Sequence, residues 1–94
     1  MKAFKPINNI RDIRKKLGLN QIEFWGQVGV TQSGGSRYEA GRTMPKPVRE
    51  LVRLVHIEQL DIAKLNRADV LISEKLKEKH PEIYSALKAE VAKA

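Results

Sequence analysis

Residues 20–42, "NQIEFWGQVGVTQSGGSRYEAGR", hold two short helical patterns separated by "VGV". Asn20 is suited to cap the first, with Glu23 three residues on as its reciprocal partner. Gly29 permits the positive φ that a tight reversal needs. Thr31 is suited to cap the second pattern, and Gly41 to end it. Inside that second helix Gly34 and Gly35 stand side by side, each costing roughly 1 kcal/mol relative to Ala. Around them Gln32, Ser33, Ser36 and Arg37 recur at i, i+1, i+4 and i+5, which puts all four on one face. Tyr38 and the glycines fall on the other. Two short helices joined by a tight turn, the second with a polar face, form a helix–turn–helix pattern.

Outward from this segment the chain reads as helix throughout, with no alternating strand pattern of useful length. Upstream, Asn9 is placed to cap a helix with Asp12 as reciprocal partner, and Ile10, Ile13 and Leu17 share a face until Gly18 ends it. In the second helix Ile22, Phe24, Trp25 and Val28 supply apolar surface. Downstream, "RTMPK" is a loop, and Pro47 suits a first helical position before Val48, Leu51, Val52 and Val55. Residues 60–65 read as a connector or a short helical turn. Asn66 is placed to cap "RADVLISEKLKEK", and Pro81 opens a last helix with Ile83, Leu87 and Val91 at i, i+4 and i+8. The expected fold is all-α: a bundle of about five helices with a helix–turn–helix over residues 1–59, and a helical extension over 60–94. The extension is expected to complete the core or make a dimer.

The 94 residues carry a net charge of +7, and its placement is uneven. Residues 1–57 hold eleven basic residues against four acidic ones, whereas 58–94 hold seven of each. A basic segment beside a neutral one is the distribution expected when one part meets a polyanion. There is no cysteine, which removes disulfides and thiolate chemistry. No apolar run approaches the roughly 20 residues that span a membrane, and residues 1–10 lack a signal-peptide pattern. A cytoplasmic protein is the expectation. His56 and His80 stand apart without a ligand set, so no metal is expected, and each reads as a surface or interface histidine. No serine lies beside a plausible base and the carboxylates are scattered, so neither an enzyme nor a cofactor is expected.

The stretch "LGLNQIEFWGQVGVTQSGGSRYEAGRTMPKP" resembles the lambda-type repressor and Cro helix–turn–helix proteins, the XRE-like regulators. The likeness covers about residues 8–57. It implies a lambda-repressor-like domain that reads double-stranded DNA as a homodimer on a pseudo-palindrome, with the helix after Thr31 in the major groove. Carried over by position, Gln32, Ser33 and Arg37 occupy base-reading places. The outward face adds Ser36 to that set. Gln suits adenine, Arg suits guanine and Ser suits several bases. Gln21 matches a residue that bonds phosphate and braces the first residue of the recognition helix, here Gln32. Arg42 and Lys46 match phosphate-touching positions, and Arg14 and Glu39 match an interhelical ion pair.

The chain departs from the family at two linked places. The fifth residue of the second helix is usually Ala in the family and here is Trp25. An aliphatic residue usually stands where this chain has Gly35. Interiors are close-packed, so an enlargement demands a matching reduction, and the indole is expected to fill the volume Gly35 vacates. Close approach of the glycines to DNA is a second benefit to consider. Two functions follow: a transcriptional repressor, or the antitoxin of a toxin–antitoxin pair that binds a toxin and represses its own operon. A protein-interaction module with a degenerate DNA face is a weaker third.

Overall fold

A computed structural model describes residues 9–93. Its ordered elements are helices and helical turns, with no strand among the described residues. They run α1 (Ile10–Lys16), α2 (Gln21–Gly26), α3 (Gln32–Glu39) and α4 (Lys46–Val52). A π-helical turn (Arg53–Ile57), a 3₁₀ turn (Ile62–Lys64), α5 (Arg67–Lys79) and α6 (Pro81–Ala92) follow. No helix of the described residues is long and apolar enough to cross a membrane.

The first four helices are short, so their ends carry much of the local information. Asn20 closes a full capping box: its Oδ1 accepts from the Glu23 N–H at 2.8 Å, and Glu23 Oε1 accepts from the Asn20 N–H at 3.0 Å. Thr31 Oγ1 accepts from the Gly34 N–H at 3.1 Å. Gly29 reverses the chain at φ +75°, and Gly18 and Gly41 follow the ends of α1 and α3 at φ +72° and +116°. Asn9 behaves differently from the sequence expectation. It sits in the left-handed region (φ 56°, ψ 47°) and its side chain caps nothing. A capping side chain needs an extended backbone beneath it, and here the Asn9 main-chain carbonyl takes the Asp12 N–H instead, at 2.9 Å. Pro47 falls at the second helical position, because α4 begins at Lys46.

The chain divides into two compact units between Leu60 and Asp61. In the first, Ile10, Phe24, Trp25, Val28, Met44 and Val52 form the core, with Ile13, Leu17, Leu19, Tyr38 and Val48 packed against it. Ile22 stays outside, 63% exposed, since two residues along a helix from Phe24 is nearly the opposite side. His56 corrects the surface assignment: it is 4% exposed, and its ring stacks on Phe24 at 3.8 Å with 11° between planes. The end of α2 explains its place. The carbonyls of Glu23, Trp25 and Gly26 accept from the N–H groups of Gln27, Val28 and Gly29. The Phe24 carbonyl instead meets His56 Nε2 at 2.8 Å. A buried carbonyl at a helix end needs a donor, and the histidine supplies it.

In the second unit Asn66 caps α5, its Oδ1 accepting from the Asp69 N–H at 2.9 Å. His80 joins α5 to α6, and Pro81 opens α6. The Lys77 ammonium lies 5.5 Å from the centre of the Tyr84 ring. No described residue of this unit is buried.

Candidate nucleic-acid interface

Helix α3 is two-sided. Gln32, Ser33, Ser36 and Arg37 are all exposed, on the outward face. Gly35 is buried, and Gly34 and Tyr38 are half-buried, on the inward one. Gly35 lies directly beneath Trp25: a Cβ built there would fall onto the indole, with Cδ2 at 2.6 Å. Trp25 is 0% exposed, with Phe24 edge-on at 5.1 Å and Tyr38 tilted against it at 5.5 Å. A Cβ on Gly34 would meet Thr31 Oγ1 at 3.2 Å and Val30 Cγ1 at 3.3 Å, so this glycine packs on the turn. Neither glycine belongs to the outward face, and close packing within the domain accounts for both.

The last residue of α3, Glu39, ties the helices together. Its side chain is 0% exposed. Arg14 of α1 grips it with both arms of the guanidinium, Nε to Oε2 at 2.9 Å and Nη2 to Oε1 at 3.0 Å. Trp25 Nε1 donates to Oε2 at 2.7 Å and Gln21 Nε2 to Oε1 at 3.3 Å, both from α2. Arg11 Nε adds a charge 3.5 Å from Oε1. Burial on its own would raise the Glu39 pKa. The hydrogen bonds from Arg14, Trp25 and Gln21, with the Arg14 charge, outweigh burial and hold it at about 2. The carboxylate is therefore ionised at any ordinary pH, and α1, α2 and α3 are fixed to one another through it.

This arrangement gathers some of the residues singled out in the sequence and separates others. Arg14, Gln21, Trp25 and Glu39 meet at one carboxylate. Gln21 turns its amide nitrogen to Glu39 rather than to Gln32. Arg42 is exposed in the α3–α4 loop, where it lines a cleft with Arg11, Arg49 and Thr43. Lys46 is exposed at the start of α4. Sequence reasoning missed the Trp25 and Gln21 bonds to Glu39, since bonds between helices leave no local pattern. It also missed the burial of His56, although a signal exists: Val48, Val52 and His56 stand at i, i+4 and i+8, in phase with the apolar face of α4.

Two short helices at a glycine turn, the second pinned from behind and polar in front, define a helix–turn–helix DNA-binding domain. Residues 11–55 match the family model described as the RsaL-like HTH domain. That segment is therefore similar to a helix–turn–helix domain, in keeping with the lambda-type, XRE-like likeness. No curated protein and no solved structure matches the chain.

Proposed function

We propose that the protein is a sequence-specific transcriptional repressor that acts in the cytoplasm without cofactor or catalysis. It binds a pseudo-palindromic operator as a homodimer, with α3 in the major groove. One observation carries this reading: Gln32, Ser33, Ser36 and Arg37 are all exposed on the outward face, Ser33 with only a long 3.4 Å contact to Thr31 Oγ1, while the inward face is locked by Trp25 and Glu39. A rigid helix with an uncharged start and unsatisfied hydrogen-bonding groups suits base-edge readout. Arg42 and Lys46, exposed beside it, suit phosphate contact, as does Gln21 if its amide exchanges Glu39 for DNA.

Selection of bound sequences from random duplex DNA tests this directly. A repeated half-site with two-fold symmetry is the expected result; recovery of unrelated sequences would refute specific readout. Affinity for the selected site should fall linearly on a log–log plot against salt, as neutralised phosphates release counterions. Lys46→Ala should weaken all sequences about equally. An affinity indifferent to salt would remove the electrostatic part.

The apolar side chains exposed on α5 and α6 favour a second reading, in which the protein is an antitoxin that binds a toxin and represses its own operon. Co-purification of a second small protein encoded beside it separates the two.

A further inference from the structure

The second unit presents apolar surface without covering it. Leu71 and Ile72 on α5 are 39% and 63% exposed, and Ile83, Leu87 and Val91 on α6 are open to solvent as well. Helices of 13 and 12 residues are near the length at which isolated helices are marginal in water, so their stability has to come from packing. What covers them has a chemistry that can be read from the surface. On α5 an apolar groove runs between Leu71, Ile72 and Leu76, and Lys75, Lys79 and His80 line it too. The lysine stems lie along the groove with their ammonium groups at its rim, where Glu78 stands 3.9 Å from Lys75 and Glu82 3.8 Å from His80. On α6 the matching shape is present: Ile83, Leu87 and Val91 form a stripe at i, i+4 and i+8, and Glu90 lies at its edge, one helical turn on from Leu87. Lys75 has only a long 3.9 Å pairing with Glu78, both well exposed, so its charge remains available.

An apolar groove with Lys75 and Lys79 on its rim and an apolar stripe edged by Glu90 on one hairpin are the two halves of a self-complementary contact, which a two-fold axis satisfies twice. Charge favours the same occupant. Residues 58–94 balance seven basic against seven acidic residues, so two copies meet here without net repulsion. We propose that the second unit is a dimerisation module: α6 of one copy lays Ile83, Leu87 and Val91 into the α5 groove of a second copy, with Glu90 set against Lys75 and Lys79. This deepens the dimeric reading of the operator complex and rests on it for its purpose, not for its geometry.

A charge exchange in the full-length chain tests the pairing by sedimentation. The wild type should dimerise at micromolar concentration. Lys75→Glu/Lys79→Glu and Glu90→Lys should each raise the dimer dissociation constant about tenfold or more, because like charges then face each other. An equimolar mixture of the two variants should recover the dimer. The positions are exposed, and unchanged far-ultraviolet circular dichroism would show that each variant still folds. A monomeric wild type, variants as dimeric as the wild type, or a mixture that fails to pair would each overturn the proposal. So would a chain that pairs only with an added foreign protein. The DNA selection is read separately: a dimer with no preferred sequence removes the operator reading and leaves the pairing, and a monomer with one does the reverse.

Discussion

At Gly35 a single added methyl group has nowhere to go, because the Trp25 indole already fills its place. Gly35→Val is expected to destabilise by about 1–3 kcal/mol or more, despite the better helix propensity of valine. Trp25→Ala is expected to cost about 3–5 kcal/mol through the cavity it leaves. That variant also deprives Glu39 of its 2.7 Å indole donor. The double variant should be more stable than the two costs together imply, since contacting residues couple by about 0.5–3 kcal/mol. Urea unfolding of all four proteins measures this, and strictly additive costs would show that the contact does not govern either residue. On the outward face, Gln32→Ala and Arg37→Ala should each lose roughly 1–3 kcal/mol on the preferred site and relax preference at one base pair per half-site. A binding-site selection repeated with each variant checks it, and an unaltered profile in both would take them out of the reading set.

At the scale of the element, helices of six to eight residues depend on their ends. Thr31 supplies the one side-chain cap of α3, and Thr31→Ala should lower stability by about 1 kcal/mol. The midpoint of urea unfolding reports it, and an unmoved midpoint would mean that water replaces the cap at no cost. The C-terminus of α2 is closed from a distance, by His56 on the π-helical turn. Wide turns of this kind are most often found where a side chain has a special task, and here the turn delivers a donor to a carbonyl. His56→Leu should cost about 1–3 kcal/mol, the penalty for a buried acceptor left without a donor. Equal stability of that variant by the same measurement would show that the carbonyl is satisfied in another way.

For the whole molecule, two buried titratable groups set the response to acid, and they act in separate windows. Burial lowers the His56 pKa below its usual 6.5, against the opposing effect of its bond to the Phe24 carbonyl. Between the two values the unfolded chain binds a proton that the folded one refuses, so stability is complete above about pH 6.5 and declines below it. Glu39 is held at about 2 against 4.5 when unfolded, so its contribution is present above pH 4.5 and disappears as pH falls towards 2. Unfolding midpoints followed from pH 7.5 to 2.5 should therefore fall in two stages. His56→Leu should remove the first stage and leave the second. A single decline beginning only below pH 4.5 in the wild type would show that His56 is not buried in solution. Charge acts on the same scale in another way: the basic excess lies in residues 1–57, so salt should weaken DNA binding through that segment.

The amino-acid sequence by itself determined the all-helical class, the place of the turn and three working caps, Asn20, Thr31 and Asn66. These are local matters: a capping side chain reaches three residues, and helical periodicity is written along one strand of chain. The size exchange of Trp25 and Gly35 was legible too, but only against the residues that the resembling family usually carries at those two places. What only the tertiary structure decided is where polar groups find partners across helices. Glu39 could be paired with Arg14 by likeness to the family, but the donors from Gln21 and Trp25 depend on how α2 lies across α3. Asn9 failed as a cap because its backbone turned left-handed, which the residue type permits and does not require. His56, read from the sequence as a surface or interface histidine, was misplaced for a different reason. Its burial depends on an unpaired carbonyl 32 residues away, and a sequence read locally has no record of that need.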